Sequence, residues 1–158
     1  MADYRMAMTT YELAQVNIGR RKYALDAPEM KDFTDNLSPV NAVAEGFDGF
    51  VWRFRDETAD NATEQRIFGD DQLLVNMSVW RDTAALTAFM YQGTHRELLS
   101  RRFEFFERVQ EAMAALWWVP SGHRPTIADA EHRLTLLRTH GPTPDAFTLR
   151  TSFPPPTA

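Results

Sequence analysis

The spacing of apolar residues alternates along this chain between about two and about 3.6 residues, and this alternation restricts the possible folds most strongly. The shorter period indicates half-buried strands, at 11–18, 47–55, 73–80 and 115–119. The longer period indicates helices with one apolar side, at 28–45, 82–106 and 126–140. The order strand, helix, strand, strand, helix, strand, with one helix appended, predicts an α+β fold of the ferredoxin-like βαββαβ type.

Proline, glycine and capping residues predict where the helices begin and end. Ser38-Pro39 is expected to divide the first helical region, because proline removes a backbone hydrogen bond. Gly93 is expected to divide the second region, whose later helix begins with a capping box at Thr94–Glu97 and carries His95 on its apolar side. Thr126 is expected to begin the final helix, with an acidic residue at its third position.

The length of 158 residues fits one domain, which we place at residues 11–153. Residues 1–10 are interpreted as a disordered lead-in, and the proline-rich residues 154–158 as an extended tail. The acidic stretch at 56–71 is expected to form a long exposed connection between two strands.

The predicted strands carry apolar or aromatic residues on both sides, whereas a ferredoxin-like sheet has helices on one side only. The other side therefore needs a cover. A second copy of the chain is the simplest cover, so the sequence predicts a homodimer.

Composition and spacing argue against several classes of partner and cofactor. The net charge of -5 leaves no excess of basic residues for binding nucleic acid. The longest apolar run, at 112–119, is too short to span a bilayer, so no membrane partner is expected. Metal-ligand spacings and glycine-rich phosphate loops are absent, so neither a metal nor a nucleotide is expected. The lack of cysteine is compatible with the cytoplasmic location that we expect.

Uncharged polar residues interrupt the apolar strands, namely Asn17 in the first strand and Asn76 and Ser78 in the third. Trp80 ends the third strand and His95 lies on the covering helix, so all of these side chains can meet in one pocket. An imidazole can move a proton near neutral pH, and an amide can stabilise negative charge on an oxygen. The alternative is structural: the amides bond to each other across the sheet, and His95 bonds to a backbone carbonyl.

Aromatic side chains are the candidate walls of this pocket, although for the tryptophans we favour the alternative of packing in the core or at a dimer interface. The candidates for contact with a substrate are Trp52, Trp80, Trp118 and Phe103. Trp117 and Trp118 are adjacent on one strand and therefore point to opposite sides. His123 is a further catalytic candidate because it lies in a loop that can close over a ligand; the alternative is an ordinary surface residue.

Several short segments carry a resemblance to a known family: Val16–Ile18, Val40–Glu45, Gly49–Arg53, Val75–Trp80, Tyr91–His95, Leu116–Thr126 and Gly141–Thr148. Together they resemble the domain-of-unknown-function 3291 family over about residues 12–153. That family is similar in fold to the dimeric α/β-barrel proteins, which include antibiotic-biosynthesis monooxygenases, polyketide cyclases, muconolactone-type isomerases and haem-degrading enzymes. The resemblance implies a barrel made of two chains. It also implies that Asn17 polarises a carbonyl or oxygen, that Trp80 shapes the cavity, and that His95 is a base or an iron ligand.

Three functions of different classes remain open. The first, which we prefer, is a cofactor-independent enzyme that removes a proton next to a carbonyl group of a small aromatic or polyketide-like substrate. Oxygenation and isomerisation or cyclisation both begin with this step, with His95 or His123 as the base. The second is a haem-binding protein with His95 as the axial ligand. The third is a non-catalytic dimer that binds a small hydrophobic molecule.

Overall fold

The computed structural model describes residues 10–55 and 66–157, and in these ranges the chain forms a four-stranded sheet with helices on both faces. The strands are β1 (Tyr11–Arg20), β2 (Phe50–Arg53), β3 (Leu73–Trp80) and β4 (Ala114–Pro120). Their order across the sheet is β2-β3-β1-β4, and each neighbouring pair is antiparallel. This mixed α+β arrangement is the ferredoxin-like topology that the order of elements predicts.

The described helices follow the predicted order. They are α1 (Lys31–Glu45), α2 (Thr83–Met90), α3 (Gly93–Ser100), α4 (Arg102–Phe105) and α5 (Ile127–His140). The side chains and backbone N–H groups of Thr126 and Asp129 form a reciprocal capping box at the start of α5, so the predicted beginning of this helix is confirmed. None of the helices in the described part of the chain is both long and apolar enough to cross a bilayer.

Two predicted helix boundaries are wrong. The α1 helix continues through Ser38-Pro39, because the ring of Pro39 is exposed and its missing N–H removes only a single hydrogen bond from a helix of 15 residues. The box at Thr94–Glu97 is not the start of α3. Instead, the side chain of Gln92 accepts from the Thr94 N–H, and Gly93 becomes the first helical residue. A break at Arg101 then separates α3 from α4.

The expected connection at 56–71 lies partly outside the described residues. In its described part, Ile67–Gly69 forms a short 3-10 turn, and the Ile67 side chain is fully buried in the core. The expected lead-in also lies outside the described residues, apart from Thr10. Residues 154–157 contain no helix or strand. The proposed domain limits stay predictions.

One face of the sheet, called here the α5 face, packs against the C-terminal helix. Its buried strand residues are Ala14, Val16, Ile18, Met77, Val79, Ala115, Trp117 and Val119. Ala130, Leu134 and Leu137 of α5 join this core, as their predicted stripe requires. The chain therefore covers the second face of the sheet with its own helix. The expectation assigned no such cover to α5, whereas Trp52 and Phe54 on this face are only partly buried, and the homodimer stays a prediction.

The opposite face, called here the α2 face, consists of three rows that run across the strands. The first row is Trp118, Leu13, Trp80 and Phe50; the second is Leu116, Gln15, Ser78 and Arg53; the third is Ala114, Asn17 and Asn76. The α2 residues Ala85, Leu86 and Phe89 belong to the same buried cluster as the first row. The first row is therefore apolar core, and the polar residues begin only in the second row.

An irregularity in β2 separates aromatic residues that simple alternation places together. The register with β3 shifts between Phe50 and Trp52, as a β-bulge does. Phe50 consequently packs on the α2 face, whereas Trp52 and Phe54 pack on the α5 face. The prediction that Trp52 lines the same pocket as Asn17 is therefore wrong, because the two side chains lie on opposite faces of the sheet.

Candidate functional site

Polar side chains of the second and third rows form one hydrogen-bonded group, the amide cluster, which consists of Gln15, Asn17, Asn76 and Ser78. Gln15 is its centre: Nε2 donates to Asn76 Oδ1 at 2.8 Å and to Ser78 Oγ at 2.6 Å. Asn17 Nδ2 donates to Gln15 Oε1 at 3.1 Å and to Asn76 Oδ1 at 3.2 Å. The antiparallel register explains the grouping, since Gln15 pairs with Ser78 and Asn17 pairs with Asn76.

These hydrogen bonds leave two donors of the amide cluster for a ligand. Ser78 Oγ accepts from Gln15 and from Trp80, so both lone pairs are used and its own hydrogen has no partner among the described residues. The Nδ2 group of Asn76 likewise has no partner within residues 10–55 and 66–157. Asn17 uses both amide hydrogens inside the cluster. The free amide donor is therefore that of Asn76 and not that of Asn17.

The outer part of the amide cluster is open to solvent even though it lies on the two inner strands. Asn17 and Asn76 are exposed, whereas Gln15 and Ser78 are only 8% and 6% exposed. No residue of α3 is buried, and the main contacts of this helix are with α1, α2 and α4. A ligand can therefore reach the cluster from the α2 face.

Aromatic rings pack on either side of the amide cluster. At one end the buried ring of Trp80 stacks on Phe89, with centroids 5.0 Å apart. At the other end Phe106 lies directly above Gly19, where an added Cβ would come within 2.6 Å of the ring. Phe33 packs edge-on against Phe106 at 5.1 Å. The amide cluster is thus a polar floor between two aromatic groups, of which the Trp80–Phe89 pair is buried and Phe106 is partly buried.

Trp80 supports this floor from within the core. Its Nε1 donates to Ser78 Oγ at 2.8 Å, and its side chain is 1% exposed. The rings of Phe50 and Phe89 pack against it at 5.5 Å and 5.0 Å. Because Trp80 has almost no exposed surface, its contribution is to orient Ser78 and not to form an exposed wall.

His95 adjoins the aromatic end of the site. It is half-buried on α3, and its ring centroid is 4.9 Å from that of Phe89. Nδ1 lies 3.2 Å from the Met90 carbonyl oxygen, which can only accept, so Nδ1 carries the hydrogen and the neutral ring keeps a free lone pair on Nε2. Burial lowers the pKa of His95, although the bond to Met90 opposes this effect. The backbone contact is the one that the structural alternative predicts, and it also leaves Nε2 basic.

Arg53 extends the second row onto β2, where it is the cross-strand neighbour of Ser78. Its Nε donates to Glu45 Oε1 at 2.6 Å, and Arg55 Nη2 donates to the same oxygen at 2.6 Å. The hydrogen bond from Arg53 lowers the pKa of Glu45; burial raises it, and the charges of both arginines lower it further. One carboxylate therefore holds two guanidinium groups at the side of the amide cluster.

Two predicted contact residues lie near the site but belong to other groups. Trp118 is on the α2 face, where its Nε1 donates to the Phe153 carbonyl oxygen at 2.8 Å, so the C-terminal segment covers it. Phe103 lies between the guanidinium groups of Arg102 and Arg108, at 4.5 Å and 3.8 Å from its ring centroid. Phe103 lies on α4, which a break at Arg101 separates from the helix that carries His95.

The other two candidates lie on the α5 side of the sheet. Trp52 lines a groove of about 450 Å³ between β2 and the start of α5, together with Phe54. His123 is 47% exposed, and its Nε2 lies 3.5 Å from an Asp129 carboxylate oxygen. Asp129 and Thr126 already bond to each other in the capping box. The structure therefore brings Asn17, Asn76 and Ser78 together, with Trp80 beneath them, and separates them from Trp52 and His123.

Gln15 and Arg53 were not among the predicted site residues. Gln15 stands two positions before Asn17, on the same side of a strand, and this spacing is a signal that the sequence already contained. Arg53 had no such signal, because its position beside Ser78 depends on the register after the β2 bulge.

Few groups of the described chain are arranged for metal or cofactor binding. Within the described ranges, no three or more His, Asp or Glu side chains are grouped so that they could hold a metal ion. His95 is a single imidazole whose Nδ1 is bound to a carbonyl, and metal-ligating histidines commonly have this arrangement. The free Nε2 of His95 is the feature of the described residues that bears on the haem alternative, which stays a prediction.

The topology and the amide cluster define a ferredoxin-like α+β protein with a polar site on one face of its sheet. The chain belongs to the family described as domain of unknown function DUF3291, whose sequence model matches residues 12–158. No curated protein matches the chain. The placement of this family among the dimeric α/β-barrel enzymes stays a prediction.

Two solved structures are similar to this chain. The first is PA3566 from Pseudomonas aeruginosa, which is 12% identical with a TM-score of 0.47 over 73% of this chain and 98% of that chain. The second is NE2512 from Nitrosomonas europaea, a protein of unknown function, which is 11% identical with a TM-score of 0.47 over 74% of this chain and 95% of that chain.

Proposed function

We propose that this protein is an enzyme that binds a small aromatic or polyketide-like molecule over the amide cluster and removes a proton from the carbon next to a carbonyl group. The observation that carries the proposal is a pair of neighbouring donors without a partner among the described residues, namely the amide of the exposed Asn76 and the hydroxyl of Ser78, which is 6% exposed. Their Cα atoms are about 7 Å apart along the strand, so both side chains can reach one oxygen.

The two donors suit the charge that this reaction develops. When the carbon–hydrogen bond breaks, its electron pair moves onto the carbonyl oxygen and forms an enolate. Hydrogen bonds from Asn76 and Ser78 stabilise that negative charge, and neither donor has to ionise. The buried bonds from Gln15 and Trp80 hold Ser78 in place before the substrate arrives.

His95 is the proposed base. Its Nε2 lone pair is free, and burial favours the neutral ring that can accept a proton. Phe89 stands between His95 and Trp80, with its ring centroid 4.9 Å from that of His95 and 5.0 Å from that of Trp80, so the proposed base lies on the Phe89 side of the amide cluster.

The proposal can be tested with β-tetralone, a bicyclic ketone, dissolved in D2O. Proton NMR measures how fast deuterium replaces the hydrogens next to the carbonyl. We expect the protein to accelerate this exchange, and Asn76→Ala and His95→Gln each to reduce the acceleration by about tenfold or more. Asn36→Ala is the matched control, because within the described ranges the Asn36 side chain bonds to the Asp32 carbonyl of its own helix and to no residue of the site. Equal exchange with and without the protein would contradict the proposal.

A second candidate is non-catalytic binding of the same class of molecule. The bond from His95 to the Met90 carbonyl supports it, since this contact explains the imidazole without any chemistry. Saturable binding of β-tetralone without faster exchange would favour this candidate.

Haem binding is a third candidate, supported by the free Nε2 of His95. When bound, haem would supply redox chemistry at its iron, and His95 would hold that iron. A Soret band that appears on addition of hemin and is lost in His95→Ala would support it, whereas a protein that leaves the spectrum of hemin unchanged would exclude it.

A further inference from the structure

Among the residues that the structure describes, the side of the amide cluster carries an excess of positive charge. Arg53 and Arg55 donate to the same oxygen of Glu45, so two guanidinium charges face one carboxylate charge. The whole chain has a net charge of -5, so this local excess is opposite in sign to the rest of the molecule. At close range the positive charge of this site outweighs the more distant negative charge of the protein, so the site attracts an anion.

The arginines lie where a ligand on the amide cluster would contact them. Arg53 is the cross-strand neighbour of Ser78, and its side chain is 24% exposed. The Phe54 N–H donates to the Met77 carbonyl, which continues the pairing of β2 with β3 by one residue and brings Arg55 towards Asn76. Each free donor of the amide cluster thus has an arginine on its β2 side.

Arg53 has donors left for a ligand. A guanidinium group has five N–H hydrogens, and Arg53 gives only its Nε hydrogen to Glu45. Its two Nη groups have no side-chain partner among the described residues. Two parallel N–H groups match the two oxygens of a carboxylate, and this geometry is stronger and more specific than a single hydrogen bond.

We infer that the molecule bound over the amide cluster carries a carboxylate group, and that Arg53 binds this group while Asn76 and Ser78 bind a carbonyl oxygen of the same molecule. The inference rests on the proposed function for the place of the ligand. The local excess is one positive charge, which matches a monoanionic carboxylate better than a dianionic phosphate. The substrate class is therefore an aromatic keto acid.

Glu45 is expected to affect the binding of the ligand carboxylate in two ways. In the free protein it holds the arginines in position, and it also competes with a ligand carboxylate for the same guanidinium groups. Replacing Glu45 with glutamine removes the competing charge and keeps a side chain of similar shape. A substitution that only loosens the structure would weaken binding, whereas this one is expected to strengthen it.

The test compares β-naphthoate with β-naphthamide, which share a ring system and differ in charge. Dissociation constants are measured by NMR titration, with the Arg53 Nε–H signal reporting contact at the site. We expect the wild-type protein to bind the acid about tenfold more tightly than the amide. Arg53→Gln should abolish this preference, and Glu45→Gln should increase it by about threefold or more. Arg81→Gln is the control, because Arg81 pairs with Asp48 and Asp82 elsewhere on the surface.

Equal affinity for the two compounds, or a preference for the acid that survives in Arg53→Gln, would overturn the inference. If Arg53→Gln does not fold, Arg53→Lys keeps the charge without the two-pronged geometry and should weaken only the binding of the acid. Binding of both compounds that depends on Asn76 but not on Arg53 would leave the proposed function standing and refute the carboxylate. If binding of the acid depends on Arg53 but the protein does not accelerate proton exchange in β-tetralone, the carboxylate inference stands and the proposed enzymatic function is refuted.

Discussion

Replacing Ser78 with alanine removes the acceptor for two donors that have little or no access to water. Trp80 Nε1 and Gln15 Nε2 lie 2.8 Å and 2.6 Å from Ser78 Oγ, and the two residues are 1% and 8% exposed. Each unpaired buried donor costs about 1–3 kcal/mol. Gln15 keeps its bond to Asn76, so its share is at the lower end. We expect the free energy of unfolding to fall by about 2–4 kcal/mol, which lowers Tm by about 5–15 °C.

A thermodynamic cycle separates the Trp80 bond from general effects of the substitution. Trp80→Phe removes the indole donor, so in that background Ser78→Ala leaves only Gln15 unpaired. The cost of Ser78→Ala should then be about 1–2 kcal/mol smaller than in the wild-type protein. Urea unfolding followed by far-UV circular dichroism measures all four proteins, because this signal does not depend on the replaced tryptophan. Ser38→Ala, at an exposed position of α1, is the control and should change stability by less than about 0.5 kcal/mol.

Two results would refute this reasoning. A cost below about 0.5 kcal/mol for Ser78→Ala would mean that the hydroxyl does not satisfy buried donors. An equal cost in both backgrounds would mean that Trp80 and Ser78 are not coupled, and the support that Trp80 is said to give the amide cluster would be absent.

Three further predictions concern other parts of the molecule. The pKa of His95 should lie below the ordinary value of 6.5, since burial opposes the charged ring, and an NMR titration would measure it. As the pH drops below about 6.5, the unfolded chain binds this proton before the folded protein does, so the free energy of unfolding should fall. Urea unfolding should show a smaller fall in His95→Gln. Gly49→Ala should destabilise by more than about 1 kcal/mol in thermal melts, because Gly49 has φ +89 and an added Cβ would come within 2.4 Å of Ala85 Cβ. Thr126→Ala should cost about 1 kcal/mol in urea unfolding by removing the α5 cap, whereas Thr126→Ser should cost little.

Local sequence patterns were enough to predict the order of elements and much of the core. Alternation along β3 separates Met77 and Val79 from Asn76 and Ser78, and the structure places the two sets on opposite faces. The capping box at Thr126 and the apolar stripe of α5 depend on neighbouring residues in one helix, so they also follow from sequence alone.

Features that depend on pairing between distant segments could not be predicted in this way. The shift of register in β2 moves Phe50 and Trp52 to different faces, and nothing in the alternation of β2 itself indicates it. The position of Arg53 beside Ser78 depends on that same shift. The packing of α5 on the α5 face could not be predicted for a similar reason. An apolar stripe shows that one side of a helix is buried, but it does not indicate which face of a sheet that side contacts.

The helix that closes the α5 face affects how the folded state responds to dilution. A chain whose sheet must be completed by a partner loses stability as its concentration falls, because unfolding is then coupled to dissociation. Here α5 supplies that surface within the same molecule, through Ala130, Leu134 and Leu137. A subunit that is diluted until it is a monomer should therefore stay folded and still unfold cooperatively on heating, because the packing of α5 needs no partner. Any second copy would attach to a subunit that is already folded.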